Sequence, residues 1–237
     1  MERLDDVDAV LIDVGGVLVL PADERVHAAL LRLDVDTDAL DLHRAHYEGI
    51  VALGEGPVGH HSDGLSIWHA YNRAYARVCG IPDAHLDEAT EILLDEFRRG
   101  DIWRQEIPGA RDALAALAAR GLGLAIVSNA DGTVEADLLK YSICQVGPGA
   151  GVTVGAILDS TVAGVAKPDP DIFHRALDAL GVRPERAVHI GDTPAADVAG
   201  ARAAGIRPVL VDPYDLHPDA DCVRVRSLAE FVALLAT

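Results

Sequence analysis

The distribution of apolar and polar residues predicts a short strand near the start of the chain. Residues 8–13 (DAVLID) form an apolar run that is bounded by acidic residues and followed by Gly15-Gly16. A run without apolar–polar alternation is typical of a strand that is buried on both faces of a parallel sheet. We therefore predict a strand that ends at Asp13.

The next region has the periodicity of amphipathic helices. No β-rich run interrupts it, so we predict an all-helical domain over residues 21–105, with a loop at 54–64 (GEGPVGHHSDG) between its two halves. The four predicted helices lie in the stretches ADERVHAALLRL, DTDALDLHRAHYEGIVAL, SIWHAYNRAYARVCG and DAHLDEATEILLDEFRRG.

Strands and helices alternate after Pro108. The predicted strands are LGLAIVSN, a short strand near 153–158, AVHIGD (187–192) and RPVLVDP. The predicted helices are GARDALAALAARG, 133–141, one that begins at Pro170 or Asp171, AADVAGARAAG and SLAEFVALLA. This alternation indicates a parallel sheet with right-handed crossovers. We predict an α/β fold with a doubly wound parallel sheet, in a core domain of residues 1–20 and 106–237.

Polar residues follow the predicted strands at their carboxyl ends. They are Asp13, Ser128-Asn129, Lys167 before a helix, and Asp192 with Asp197. The carboxyl ends of parallel strands share one edge of the sheet, which is where ligands bind in open α/β sheets. We therefore expect these side chains to meet in one place.

Composition and charge narrow the classes of partner. The chain has 237 residues and a formal net charge of −18, which argues against a protein that binds a nucleic-acid backbone. The three cysteines are far apart and include no CxxC pair, so neither a zinc framework nor a disulfide scaffold is indicated. No apolar run approaches the roughly 20 residues that span a bilayer. With an acidic start unlike a signal peptide, we expect a cytoplasmic protein, monomeric or homodimeric.

Four segments together resemble the motifs of the haloacid dehalogenase superfamily. They are LIDVGGVL, IVSN, AKPDPDIF and GDTPAAD, in this order along the chain. The resemblance covers the whole chain, because the helical domain stands where the family has its C1 cap. It implies a Rossmann-like core, an aspartyl nucleophile and, usually, magnesium.

The resemblance also implies a role for each matching residue. Asp13 would attack phosphorus, and the phosphate would be bound by Ser128, Asn129, Lys167 and Gly16, with Ser128 and Lys167 also taking part in catalysis. Mg²⁺ would be held by Asp13, the carbonyl of Gly15, Asp192 and Asp197. Asp197 could instead support another ligand or cap its helix, Asn129 could only fix its loop, and Lys167 could be a solvated loop residue. Thr193 is a candidate for hydrogen bonding.

The sequence departs from the family's phosphatases at Gly15. Most of those enzymes have a second Asp at this position, where it acts as general acid and base, a function typically worth about 10²–10⁴-fold in rate. Three explanations are open. The leaving group could need no protonation, as in an acyl phosphate, an anhydride or an anomeric phosphate. A residue of the helical domain could replace the Asp, with His60, His61, Asp63, Glu24 and Asp23 as candidates. The reaction could also be something other than phosphoryl transfer.

The sequence therefore predicts a magnesium-dependent phosphatase of a small phosphorylated metabolite, with two alternatives. A 2-haloacid dehalogenase also lacks the second Asp, but it has an aromatic residue where Gly15 stands and an Arg early in the cap. Arg25 and Arg32 lie in that region without a specific match. The other alternative is a weakly active or non-catalytic ligand-binding protein.

Overall fold

The computed structural model describes residues 4–33, 39–54 and 64–235. The chain divides into two compact units. The first unit contains Met1–Val19, Glu106–Pro213 and Asp219–Thr237, and the second contains Leu20–Gln105 and Tyr214–Pro218. The sequence-based division places 214–218 in the core domain instead. The predicted loop at 54–64, with His60, His61 and Asp63, lies outside the described residues except at its ends.

Ten strands and ten α-helices occur in the described parts of the chain. The strands are β1 Ala9–Ile12, β2 Val19–Pro21, β3 Trp103–Glu106, β4 Gly123–Ser128, β5 Cys144–Val146, β6 Val152–Val154, β7 Ala156–Asp159, β8 Ala187–Gly191, β9 Arg207–Val211 and β10 Val223–Val225. The helices are α1 Asp23–Leu30, α2 Ala39–Gly54, α3 Gly64–Val78, α4 Leu86–Phe97, α5 Ala110–Ala119, α6 Val134–Lys140, α7 Ser160–Ala163, α8 Pro170–Leu180, α9 Ala199–Ala203 and α10 Leu228–Leu234.

The first unit is built on a six-stranded parallel sheet with the strand order β10-β9-β8-β1-β4-β7. From β1 the chain proceeds outward through β4 and β7, and it then returns to the other side of β1 for β8, β9 and β10. The strand order therefore reverses between β1 and β8, and such a switch point opens a crevice at the carboxyl ends of the strands. Helices flank this sheet, which confirms the predicted α/β fold.

The central strand is held by apolar burial. All four residues of β1 are fully buried, as its apolar run without alternation predicts. On one face of the sheet, Leu11 belongs to a cluster that also contains Val127 of β4 and Phe173 of α8. Because β1 pairs with β4 and β8 in register, the ends of these three strands are fixed relative to one another.

The predicted strand near 153–158 is two strands in two different sheets. Strand β6 pairs with β5 in a small parallel sheet, whereas β7 joins the main sheet beside β4. The division falls at Gly155, whose amide donates to the Leu124 carbonyl at 2.8 Å. A side chain at Gly155 would come within 2.5 Å of Leu180 Cδ2. The backbone thus passes close to its neighbours where it changes sheets.

The second unit contains helices α1–α4 around a core of its own, and strands β2 and β3 pair at its two ends, which the prediction of an all-helical domain over 21–105 did not include. Tyr71 and Tyr75 of α3 are among its largest buried side chains. Tyr214, from the connection between β9 and β10, also belongs to this unit and its hydroxyl lies 2.6 Å from Nδ1 of His43 in α2. In the ranges that the structure covers, each helix is too short or too polar to span a bilayer.

Candidate active site

Asp13 lies directly after β1, at the carboxyl edge of the sheet. Its amide donates to the Ile190 carbonyl of β8 at 2.9 Å, which continues the pairing of the two strands by one residue. The chain then turns, and the amides of Leu18 and Val19 donate to the Val14 carbonyl. Asp13 is therefore placed at the switch point by the register of β1 and β8.

The turn after Asp13 contains the two glycines of the first motif. Gly16 has a φ of 65°, a conformation that favours glycine, and its amide donates to the Val19 carbonyl at 2.9 Å. Gly16 is a residue that the resemblance assigns to phosphate binding, and its amide is used within the turn. Gly15 forms an isolated bridge with Val19 in the same turn.

Lys167 is held at this edge by Asn129. The side-chain amide of Asn129 binds both backbone groups of Lys167: Nδ2 donates to the carbonyl oxygen at 2.9 Å, and Oδ1 accepts from the amide at 2.8 Å. Asn129 follows β4, so this pair of hydrogen bonds ties the segment before α8 to the end of a central strand. Of the two roles that the sequence left open for Asn129, the structure shows the fixing of the loop.

The ammonium of Lys167 bridges two carboxylates. Its Nζ lies 2.8 Å from Oδ1 of Asp13 and 2.7 Å from Oδ1 of Asp197, and all three side chains are buried. Burial by itself would lower the pKa of Lys167, but the two carboxylates raise it above its ordinary value. The lysine is therefore a buried, charged group and not a solvated loop residue.

Asp197 is held by donors from three parts of the core unit. Its Oδ1 receives Lys167 and also lies 2.8 Å from Nε2 of His189, while Oδ2 accepts from the Thr193 amide at 2.9 Å. Burial works to raise the pKa of Asp197, but Lys167 and His189 together hold it below the usual range. His189 was missed from the sequence, because a single His inside the apolar strand AVHIGD resembles an ordinary core residue.

Gly191 makes room for the carboxylate of Asp197. A Cβ at Gly191 would come within 2.5 Å of both carboxylate oxygens of Asp197. Steric contact therefore explains why the residue before Asp192 is a glycine: the Asp197 side chain packs directly on the backbone of β8.

Three carboxylates come together at the site. Oxygens of Asp13, Asp192 and Asp197 lie within 4.8 Å of one another, and all three residues are buried. Asp192 Oδ1 also accepts from the Thr193 hydroxyl at 2.9 Å. Burial raises the pKa of Asp13 to about 7; Lys167 acts in the opposite direction, and Asp197 and Asp192 add to the rise.

The charges of this cluster fit a divalent cation. Burial lowers the pKa of His189, which favours the neutral ring, so among the described contacts of the cluster Lys167 provides the positive charge against the three acids. Two negative charges are left over when all three acids are ionised, and carboxylate oxygens are the ligands that Mg²⁺ prefers. Because Asp197 already accepts three hydrogen bonds, Asp13 and Asp192 are better placed to bind a cation directly.

Ser128 is the last residue of β4 and is buried. Its partner in register on β7 is Asp159, which accepts from the amides of Gly132 and Thr161, both at 2.9 Å. Asp159 thus anchors the loop that follows Ser128 and Asn129. The sequence interpretation passed over Asp159, because the strand to which it belongs was not separated from β6.

We predict that Gly191→Ala destabilises the protein by about 1–3 kcal/mol, because the added methyl group displaces the Asp197 carboxylate in a packed site. Urea denaturation of the purified variant measures this change. Gly123→Ala in β4 is the matched control, since its Cβ would meet nothing nearer than 3.5 Å. Its stability should change by no more than about 0.5 kcal/mol. Equal losses in both variants would contradict the steric role of Gly191.

Comparison with known proteins shows the family to which the chain belongs. The haloacid dehalogenase-like hydrolase family matches residues 7–205. A phosphoserine phosphatase of Thermus thermophilus is 36% identical over 164 residues, which are 68% of this chain and 61% of that protein. A phosphoglycolate phosphatase of Rhodospirillum rubrum is 37% identical over 213 residues, covering 87% of this chain and 79% of that protein.

A solved dehalogenase structure with an intermediate complex is similar in fold, with a TM-score of 0.60 and 22% identity over 99% of both chains. For the Thermus phosphatase and five vertebrate haloacid dehalogenase-like hydrolase domain-containing proteins, the match spans only between 51% and 61% of the relative's length. The family match itself covers most of this chain. The protein therefore belongs to the haloacid dehalogenase-like hydrolases.

Proposed function

We propose that the protein is a magnesium-dependent phosphatase that hydrolyses a small phosphorylated metabolite through a phosphorylated Asp13. The observation that carries this proposal is the buried Lys167 ammonium, 2.8 Å from Asp13 and 2.7 Å from Asp197, beside the third acid Asp192. This arrangement holds a carboxylate nucleophile at the switch point together with a positive charge for an anionic substrate. The two relatives named as phosphatases support a phosphorylated substrate.

The reaction has two displacements at phosphorus. An oxygen of Asp13 attacks phosphorus, and the bond from phosphorus to the leaving oxygen breaks, which forms an aspartyl phosphate. Water then attacks the same phosphorus, the bond to Asp13 breaks, and inorganic phosphate leaves while the proton of water passes to phosphate or solvent. Division of one difficult step into two easier ones is the advantage of a covalent intermediate.

Lys167 and Ser128 assist at the phosphoryl group. Lys167 holds Asp13 in position and neutralises phosphate oxygens, and Ser128 contributes its hydroxyl. Asp13, the Gly15 carbonyl and Asp192 would hold Mg²⁺, with Asp197 retained as the partner of Lys167. Held there, the cation would reduce the repulsion between the anionic nucleophile and the anionic phosphate.

Residues 21–105 take the place of the family's C1 cap and are the part of the chain that would select the substrate. One feature of this unit argues against Arg25 as the carboxylate-binding arginine that the dehalogenase alternative needs. Arg25 donates to Glu96 at 2.7 Å and to the Gly100 carbonyl at 2.6 Å, so its guanidinium is already used within the helical unit.

A cytoplasmic location and a monomeric or homodimeric state remain predictions.

We predict that Asp13→Asn lowers kcat by roughly 10⁴-fold or more, because an amide is a poor nucleophile and nucleophile removal has effects of that size. The measurement is phosphate release from a panel of phosphorylated metabolites, with circular dichroism to show that the variant is folded. The same panel is extended to haloacids and repeated with EDTA. Full turnover by Asp13→Asn, or halide release that ignores the chelator, would overturn the proposal.

The glycine at position 15 generates a prediction about leaving groups. No side chain there can protonate the leaving oxygen, so acetyl phosphate should be hydrolysed faster than an alkyl phosphate such as glycerol phosphate. Gly15→Asp should accelerate the alkyl ester by about 10²–10⁴-fold and acetyl phosphate much less. If the wild-type protein hydrolyses both substrates at equal rates, another residue supplies the proton, and His60→Ala and His61→Ala then test the two predicted histidines.

Magnesium binding should depend on pH through Asp13. The pKa of about 7 means that the metal-free site is largely protonated at Asp13 below that pH, and a cation must displace this proton. We therefore predict that Mg²⁺ affinity weakens by up to about tenfold between about pH 7 and about pH 6, and is nearly constant above about pH 8. Isothermal titration calorimetry measures this dependence. Asp13→Asn is the control, and its weaker binding should lose most of the dependence; a flat profile in the wild type would contradict the assignment.

A further inference from the structure

His189 occupies the middle of the central sheet. It lies on β8 in register with Leu11 of β1, and it is fully buried. Phe173 of α8 packs against the imidazole edge to face, with the ring centroids 4.8 Å apart. A histidine in such a place is costly unless its polar atoms have a partner. Its Nε2 has one, at 2.8 Å: Oδ1 of Asp197, whereas the buried Nδ1 has no hydrogen-bond partner among the described residues.

The oxygen that His189 contacts is the same one that receives Lys167. Nζ of Lys167 and Nε2 of His189 lie 2.7 Å and 2.8 Å from Oδ1 of Asp197, respectively. Since a carboxylate oxygen accepts, Nε2 carries the hydrogen in this contact. The imidazole thus reaches Asp197 from strand β8, and the ammonium reaches it from the segment before α8.

Few other groups hold this carboxylate. The Thr193 amide binds Oδ2, but it belongs to the turn after β8 and not to the sheet. Gly191 leaves space for Asp197 without contributing a hydrogen bond. Among the described donors to this carboxylate, His189 is therefore the one that lies within a strand of the main sheet, whereas Lys167 is tied to β4 through Asn129.

We propose that His189 is a positioning residue, which fixes the Asp197 carboxylate by donating from Nε2 to Oδ1 and thereby holds Lys167 against Asp13. The catalytic consequence rests on the proposed function, whereas the coupling of His189 to Asp197 does not. Without the His189 donor, Oδ1 of Asp197 would accept a hydrogen bond from Lys167 but not from His189. The Asp197 carboxylate would then be less constrained, and so would the Lys167 ammonium that it holds.

The test compares two variants of equal side-chain length. Gln can place a donor where His189 has Nε2, whereas Met cannot donate. For acetyl phosphate hydrolysis with magnesium, His189→Met should lower kcat about ten- to hundredfold relative to His189→Gln, the size expected for one hydrogen bond to a charged group, with little change in KM. Equal kcat values for the two folded variants would overturn the inference.

A double-mutant cycle tests whether His189 acts through Asp197. The kcat of the double variant His189→Met/Asp197→Asn should be close to that of Asp197→Asn alone. The reason is that Asp197→Asn removes the carboxylate that His189 positions. Losses that multiply would show an independent structural role and would contradict the inference.

The same double-mutant cycle can be measured on stability, by comparing the denaturant midpoints of the metal-free wild type, the two single variants and the double variant. Non-additive shifts of the midpoint are expected, and additive shifts would contradict the coupling. This second readout separates the two proposals. Absence of any phosphatase activity in the wild type would count against the proposed function, and the unfolding cycle would still decide the role of His189.

Discussion

The pairing of the buried Lys167 ammonium with the carboxylates of Asp13 and Asp197 is the interaction on which the rest of the site depends. A charged amine and its carboxylate partners lose several kcal/mol of hydration each when they are buried, and only close pairing compensates for this. Here two carboxylates supply the pairing, at 2.8 Å and 2.7 Å. Everything around them restricts movement: strand register holds Asp13, Asn129 holds the Lys167 backbone, and the carboxylate of Asp197 packs on Gly191.

The same arrangement leaves the site with more negative than positive charge, and this imbalance leads to the proposed chemistry. Three buried acids face one lysine, and burial raises the pKa of Asp13 to about 7. A divalent cation would relieve that imbalance and make Asp13 a carboxylate at neutral pH. A phosphate group would then meet a site whose acids are neutralised, with the Lys167 ammonium at the switch point of the sheet. In the proposed function, the local charge of the site favours a phosphorylated substrate, although the chain as a whole has a net charge of −18.

The elements with strong sequence patterns could be predicted. The apolar runs of β1, β4 and β8 and the helix that begins at Pro170 have the expected places, and the meeting of Asp13, Lys167, Asp192 and Asp197 follows from parallel strands. The three-residue strands β2, β5 and β10 were missed because they are too short for a period to show. The division at Gly155 depends on close tertiary approach, which no local pattern encodes.

Partners within the site were harder to predict than the charged residues themselves. A buried His in an apolar strand and an Asn after a strand each have many ordinary explanations. The contact of His189 with Asp197 and the double hydrogen bond of Asn129 with Lys167 could therefore be recognised only from the three-dimensional structure.

The central claim, that Asp13 is the nucleophile, is tested most directly by acid quench during acetyl phosphate turnover, followed by mass spectrometry of the peptides. We predict one phosphoryl group on Asp13, whereas a phosphoryl group on another residue, or turnover without any covalent adduct, would contradict the account.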